Sequence, residues 1–408
     1  MTTMTDPPNE GFRLSQLIYD TRYRSITIQV VALIALVAAF WWLINNTVQN
    51  LADLGKDFDF GFLGQRAGYD INQQLIPYTS EMSHGRAAVV GILNTLLVAF
   101  IGCITATVIG IIAGVLRLSK NWVVSRLMAV YVEAFRNVPL LLWILLIYAI
   151  MSESMPQPRD FRVGDDGTAG ASMLFFDSVA VTNRGIFVPM PIWGETALIW
   201  GIVALAALIG AFAYRRYARK VLFDTGRLLP MVWPAILIFL VPTILAYYVL
   251  GQPLTFQKPE LGGFNFTGGL HLRNSLIALW IALSLYTGAF IAEIVRAGIL
   301  AISKGQSEAA FALGLRPNRT MNLVILPQAL RVIIPPLISQ YLNLTKNSSL
   351  ALAVGYMDVR ATLGGITINQ TGRELEGMLL LGLFYLLLSL LISSVMNVYN
   401  NRMKLKER

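Results

Sequence analysis

Charge is scarce in this chain. Asp, Glu, Lys and Arg make up 13% of its 408 residues, while 55% are hydrophobic. A soluble domain carries about a quarter charged residues, so that class is excluded. Cysteine occurs once, at Cys103. No disulfide within the chain is then available, and the redox compartment leaves no trace. The two histidines, His84 and His271, stand alone in polar segments without ligand spacing, so no metal site is indicated. No Gly-x-x-x-x-Gly-Lys-Ser/Thr loop is present, which excludes a P-loop nucleotidase. No nucleophile–base constellation points to an enzyme either. Residues 1–25 lack the pattern of a cleaved signal peptide, and the run ending in Trp41-Trp42 reads as a retained span with an interfacial anchor.

Long apolar runs fill the space left by charge. A bilayer core takes about 20 apolar residues per helix, and about eight segments fit. They are 26–44, 88–116, 128–150, 195–213, 231–250, 273–299, 329–350 and 377–399. The fold class expected is therefore an all-α membrane protein with about eight transmembrane helices. If the polar loop around Glu308 faces the cytoplasm, eight spans place both termini inside. Inside segments then hold 19 Lys and Arg against 10 outside, with Arg136, Arg296 and Lys346 in or at the edge of spans. The inside set includes Arg13, Arg215, Arg216, Arg219, Lys220, Lys404, Lys406 and Arg408. That bias follows the positive-inside rule. The net charge of +9 is thus an orientation signal, with membrane lipid as surroundings and no nucleic-acid partner. The loops 45–87 and 151–194 are long enough to carry binding.

The island between the sixth and seventh runs reads Glu-Ala-Ala-Phe-Ala-Leu-Gly-Leu-Arg-Pro from Glu308 to Pro317. Lys304, Glu308, Arg316 and Arg319 suit water. Ala309, Ala310, Phe311 and Leu313 offer an apolar face to a partner's groove. Gly314 permits a turn with positive φ, and Pro317 and Pro327 interrupt helices. An amphipathic connector lying on the membrane is the simpler reading of the same composition.

Charges inside a span are costly and mark candidate sites. Tyr286, Phe290, Glu293 and Ala297 share one helical face, where Glu293 could accept from an ammonium group of a solute and Tyr286 could form a wall. Glu293 can equally pair with Arg296 three residues on. Lys346, Asn347, Ser348 and Ser349, with Asn343 and Thr345, form a polar cluster after Pro335-Pro336. A break at those prolines would set the cluster near mid-membrane, where Lys346 and Glu293 could supply one charge each for a solute that carries both signs. Without a break, Lys346 snorkels at the outer interface. Glu133 and Arg136 repeat the three-residue spacing. Gly110-x-x-x-Gly114 permits close helix packing.

The order Glu308-Ala309-Ala310, Gly314, Ile325-Leu326-Pro327 resembles the coupling loop of bacterial ABC import permeases. Two further blocks resemble the polar amino-acid permeases of that class. One runs from Asn94-Thr95-Leu96 through Tyr131–Leu141, with Arg136-Asn137-Val138-Pro139-Leu140-Leu141 as its signature. The other runs from Ser284 to Asp358, with Tyr286–Gly298 and Thr345–Leu350. The extra amino-terminal span and the insert resemble the permeases for general L-amino acids or for glutamate, glutamine, aspartate and asparagine.

The resemblance implies a type I importer core of five helices. It divides the chain into 1–87 (amino-terminal segment, extra helix and loop), 88–150 (first part of the core), 151–270 (insert with two extra helices) and 271–408 (second part, with the coupling loop at 301–330). It implies that Glu308, Ala309, Ala310, Gly314, Leu315 and Arg316 couple to ABC ATPase subunits. Tyr286, Glu293, Arg296, Lys346, Asn347, Ser348 and Ser349 are the pathway candidates. A periplasmic amino-acid-binding protein and a second permease subunit, in a heterodimer or homodimer, complete the assembly in the bacterial inner membrane. ATP and Mg would sit on the ATPase, leaving no cofactor in this chain. The alternative is an ion- or proton-coupled secondary amino-acid transporter, for which Glu293 and Glu133 are the coupling candidates.

Overall fold

The computed structural model describes residue 18, residues 21–53, residue 55, and residues 58–163 and 168–403. Arg13, Lys56, Asp165, Asp166, Lys404, Lys406 and Arg408 lie outside the described residues. The apolar runs fold as α-helices, which satisfy their own backbone hydrogen bonds as hydrocarbon requires. In chain order these are α1 Thr21–Asp53, α2 His84–Leu116, α3 Trp122–Asn137, α4 Leu140–Ser154, α5 Ala197–Thr225 and α6 Trp233–Val249. They continue with α7 Asn274–Leu300, α8 Lys304–Ala312, α9 Leu326–Asn347 and α10 Glu374–Met403.

Among the described residues, six helices are long and apolar enough to cross a membrane, or seven if a bent pair counts as one span. The exact count of eight read from the sequence is therefore not confirmed. The segment 128–150 is not a straight helix: α3 and α4 meet at 108°. Pro139 has no N–H to continue the helix, and it drives Val138 into extended backbone at φ −107, ψ 134. The second shortfall is α6, which has 17 residues. At Pro335-Pro336 the expectation of a break fails, because α9 runs through both prolines from Leu326 to Asn347. The irregularity comes earlier, where Met321–Ile325 is a π-helical turn. Pro327 cannot donate to the carbonyl four residues back, and its ring crowds that carbonyl, so the preceding turn widens.

The core is built on α2 against α7. A Cβ at Gly110 would lie 2.5 Å from Cβ of Ile291, and one at Gly114 would lie 2.6 Å from the Ala292 carbonyl oxygen. Only glycine permits this approach. Polar side chains bond α2 to α7 and tie this pair to α3 and α9. Thr105 Oγ1 receives the Trp280 Nε1–H at 3.0 Å, Thr107 and Tyr341 hydroxyls lie 2.7 Å apart, and Tyr131 Oη donates to the Leu285 carbonyl at 2.6 Å. Helix α4 and α9 complete the packing around α7, burying Ile144, Leu283, Ile291, Ile333 and Leu344. By contrast α5 and α6 pack on each other through Ala207, Ala211 and Ala235, and the apolar window of α1 is unburied.

The connections contain β-structure that the all-α expectation did not include. Strands β1 Ala180–Thr182 and β2 Gly185–Val188 form a ribbon, β3 Met190–Trp193 pairs with β4 Leu254–Gln257, and β5 Glu260–Leu261 pairs with β6 Phe266–Thr267. Strand β7 Leu270–Arg273 joins the ribbon antiparallel to β2, with Gly185 opposite Arg273. Gly185 has φ 136, and a Cβ there would lie 2.3 Å from the Leu272 carbonyl oxygen. The insert is thereby fastened to the residue that opens α7.

The turn after α9 is held by the Asn94-Thr95 pair. Asn94 Nδ2 donates to the carbonyls of Gln73 (2.8 Å) and Met357 (2.9 Å), while Thr95 Oγ1 accepts from the Val359 N–H at 3.1 Å. Within this turn Asp358 is fully buried. Its Oδ1 caps a short helix by accepting from the Ala361 N–H at 2.9 Å, and its Oδ2 has no hydrogen-bond partner. Burial raises the carboxyl from 3.8 to about 7, against the opposing pull of the backbone donors. A carboxyl that holds its proton more tightly when folded stabilises most below its unfolded value and loses that contribution as pH rises toward 7. Asp358→Asn keeps the cap and removes the titration. The melting temperature of the purified protein should therefore fall less between pH 5 and 8 in the variant than in the parent. Parallel slopes would exclude a buried neutral Asp358.

Candidate functional site

Three places gather the residues singled out in the sequence, and α7 links them. The first is the loop between α7 and α9. Helix α8 closes with a left-handed Gly314 at φ 77. The Leu315 N–H reaches back to the Ala310 carbonyl (3.1 Å) and the Gly314 N–H to that of Phe311 (2.9 Å), the paired bonds of a glycine-terminated helix. A Cβ on Gly314 would meet nothing within 4 Å, so the requirement is conformational and not one of space. Glu308, Ala309 and Arg316 are exposed and Leu315 is half-buried. Among the described residues Glu308, Arg316 and Arg319 have no ion-pair partner. Phe311 is 50% and Leu313 82% exposed, so the apolar face has no cover from this chain. Ala310 departs from that face: it is 4% exposed and turns inward. Gln306 and Gln328 side chains, 3.3 Å apart, tie the loop to α9.

The second place is a charge cluster on the same side of the molecule. Glu293 is paired with Arg296 through Nε at 3.2 Å and also with Arg117. Arg117 reaches on to Glu133 at 3.4 Å, and Asn137 Nδ2 donates to Glu133 Oε2 at 3.3 Å. The Arg136 guanidinium lies 5.4 Å from the Phe290 ring, which leans on Tyr286 at 5.1 Å. Glu293 therefore serves as a shared acceptor for two arginines. Sequence spacing found Arg296, but it did not single out Arg117, 176 residues away from Glu293. The available signal was its position at the end of a span, where a carboxylate on a neighbouring helix is within reach.

The third place is the far end of α9. Thr345 Oγ1 donates to the Tyr341 carbonyl (2.8 Å), Ser348 Oγ to that of Thr345 (2.7 Å), and Ser349 Oγ to that of Lys346 (2.7 Å). These hydroxyls are occupied in ending the helix. Lys346 is exposed and Asn347 half-buried. The structure separates Lys346 from Glu293. A Cβ at Gly102 would touch Leu344, whereas Gly114 abuts Ala292. Along α2 these levels are about 18 Å apart at 1.5 Å per residue. The pairing of Lys346 with Glu293 around one amino acid is thus corrected, because its ammonium and carboxylate share one carbon.

Three arginines and two carboxylates in one cluster should show mutual dependence. Arg117→Gln and Glu293→Gln should each destabilise by about 1–3 kcal/mol, and the double variant should cost less than their sum by about 1 kcal/mol or more. Thermal unfolding of the four proteins measures this, and additive losses would remove the cluster as a unit.

The family described as "binding-protein-dependent transport system inner membrane component" matches residues 202–405. The chain is 57% identical to the glutamate/glutamine/aspartate/asparagine transport system permease protein BztB of Rhodobacter capsulatus, covering 100% of each. It is 46% identical to the general L-amino acid transport system permease protein AapQ of Rhizobium johnstonii, covering 98% of this chain and 96% of the relative.

Proposed function

Since the chain belongs to the binding-protein-dependent transport system inner membrane components, we propose that it moves polar L-amino acids. It is the permease subunit of an ATP-driven ABC importer, a multi-pass membrane protein and not an enzyme. The observation that carries the substrate class is identity of 57% along the entire length of a permease named for glutamate, glutamine, aspartate and asparagine. The ion-coupled alternative has no support from either relative.

In this reading both termini face the cytoplasm, as the basic residues favour. The permease core comprises 88–150 and 271–408, with 1–87 and 151–270 packed outside it. Glu308, Ala309, Gly314, Leu315 and Arg316 contact the ATPase, together with exposed Phe311 and Leu313, while Ala310 seats the short helix on its own chain. A groove-bound helix passes rigid-body motion from the ATPase pair to α7 and α9. A second permease subunit, a distinct chain in a heterodimer, covers the exposed pathway face. Tyr286, Lys346 and Asn347 line that pathway, Ser348 and Ser349 shape its outer end, and Glu293 and Arg296 form its inner end. ATP and Mg are held by the ATPase. Substrate shifts the equilibrium between outward- and inward-open states by its differential contacts with each.

Glu308→Lys combined with Gly314→Val should abolish uptake while the chain remains in the membrane at its normal level. The first substitution reverses a charge on the docking face and the second forbids the left-handed turn. Affinity purification from native membranes should recover an ATPase, a second permease and this chain together. Normal uptake by the double variant, or recovery of this chain alone in a form that transports on an ion gradient, would overturn the reading.

A further inference from the structure

A chamber of about 540 Å³ lies at the start of α7, on the side of the molecule opposite the loop that carries Glu308. Its volume falls within the range of roughly 300–1,000 Å³ typical of small-molecule sites. The walls come from the insert ribbon (Asn183, Arg184), the β5–β6 turn (Asn265), the opening of α7 (Arg273, Asn274) and the first long loop (Asn72). Every one of these side chains is polar, and no carboxylate is among the lining residues.

Two observations mark the chamber as built for a ligand. Asn183, Asn265 and Asn274 each have a buried Oδ1 with no hydrogen-bond partner. Asn274 itself is only 5% exposed, and its amide nitrogen is already committed to the Asn183 carbonyl. An unpaired buried acceptor is costly to keep, and three around one chamber suit a cationic donor such as an ammonium group. The second observation concerns the cations. Among the described residues Arg273 has no ion-pair or hydrogen-bond partner for its guanidinium. Arg184 spends one donor on the Phe264 carbonyl at 3.1 Å and has no ion-pair partner among them. Its backbone is held by His271, whose Nε2 lies 3.0 Å from the Arg184 carbonyl oxygen and whose ring stacks on Phe187 at 4.1 Å. Guanidinium groups with free donors match carboxylates in bidentate geometry.

We propose that this chamber is a receiving site for an amino acid with an acidic side chain, distinct from the Glu293 and Lys346 levels. It rests on the transport function proposed above. The α-ammonium is taken by the orphaned Asn oxygens, the α-carboxylate by Arg184 and the side-chain carboxylate by Arg273. Glutamate or aspartate satisfies both guanidinium groups. Glutamine satisfies only one with an anion, so the chamber favours the acidic members of the class. Because strand β7 leads directly into α7, a solute held here touches the same helix that ends at the coupling loop.

The test uses the full importer with its binding protein in proteoliposomes and compares glutamate with glutamine uptake. Arg273→Gln should raise the apparent KM for glutamate about tenfold, the loss of one charge-assisted contact, and Asn72→Asp should raise it by a similar factor by placing a repelling carboxylate in the chamber wall. The KM for glutamine should change by less than about threefold under the same substitutions. Asn72 is exposed, so its variant keeps the test open should Arg273→Gln fail to assemble. Co-purification with the ATPase verifies assembly. Equal changes for both amino acids, or none, would overturn the chamber while leaving the permease function standing. Absence of ATP-dependent uptake of either amino acid by the unmodified importer would instead defeat the proposed substrate class, and the chamber's assignment with it.

Discussion

The close approach of α2 to α7 sets the position of everything else. Two small residues one turn apart, Gly110 and Gly114, leave no room between the helix backbones, and a Cβ at either would collide with Ile291 or Ala292. Such contact gives van der Waals packing where the hydrophobic effect cannot, since lipid is as apolar as a helix surface. The seam aligns Thr105 with Trp280 and brings Arg117 to Glu293. It also makes α7 a buried rod of 27 residues, roughly 40 Å long at 1.5 Å per residue. One end is clamped by the insert ribbon and the other leads into the exposed turn of α8 and Gly314. A rod fixed at mid-length by packing can tilt as a unit, which is the motion that alternating access requires.

The charge cluster at the inner end fits this mechanical role. Glu293, Arg117 and Arg296 are each partly exposed, so their attraction is moderated by water. What the cluster contributes is connection: α2, α3 and α7 each supply a charge, and displacement of one helix leaves a partner unpaired. A pairing of this kind penalises intermediate positions and favours discrete arrangements. The Arg136 contact with Phe290 extends the link to the aromatic face of α7.

Local sequence signals identified the features that depend on local chemistry. The apolar runs, the left-handed Gly314 and the Glu293–Arg296 spacing were all legible because composition or a three-residue step decides them. Features that depend on distant partners were not. Arg117 pairs across 176 positions, and its place at the end of a span does not say which carboxylate it meets. The two prolines at 335 and 336 signal a break in isolation, yet α9 stays continuous. Its packing against α7 and α10 outweighs the lost backbone bonds. The bend falls instead at Pro139, where Val138 is free to take extended backbone. The strands of the insert are two to four residues each, too short for alternation to stand out from the surrounding loop.

The placement of the polar chamber follows from these short strands. An insert lacking a large core of its own gains order by adding β7 to its ribbon, and β7 is the residue run that opens α7. Register then fixes Arg273 opposite Gly185 and sets Arg184 and Asn183 in the turn beside it. A side chain at position 185 would clash with Leu272, so glycine there is what lets the turn approach α7. The result is a set of free guanidinium donors and unpaired amide oxygens on the residues that line one space. Orphaned polar groups are retained only where something else satisfies them, and a zwitterion satisfies both kinds at once. Recognition at one end of α7 and coupling at the other then act on a single rigid element, so differential contact with the solute is transmitted without a chain of flexible intermediates.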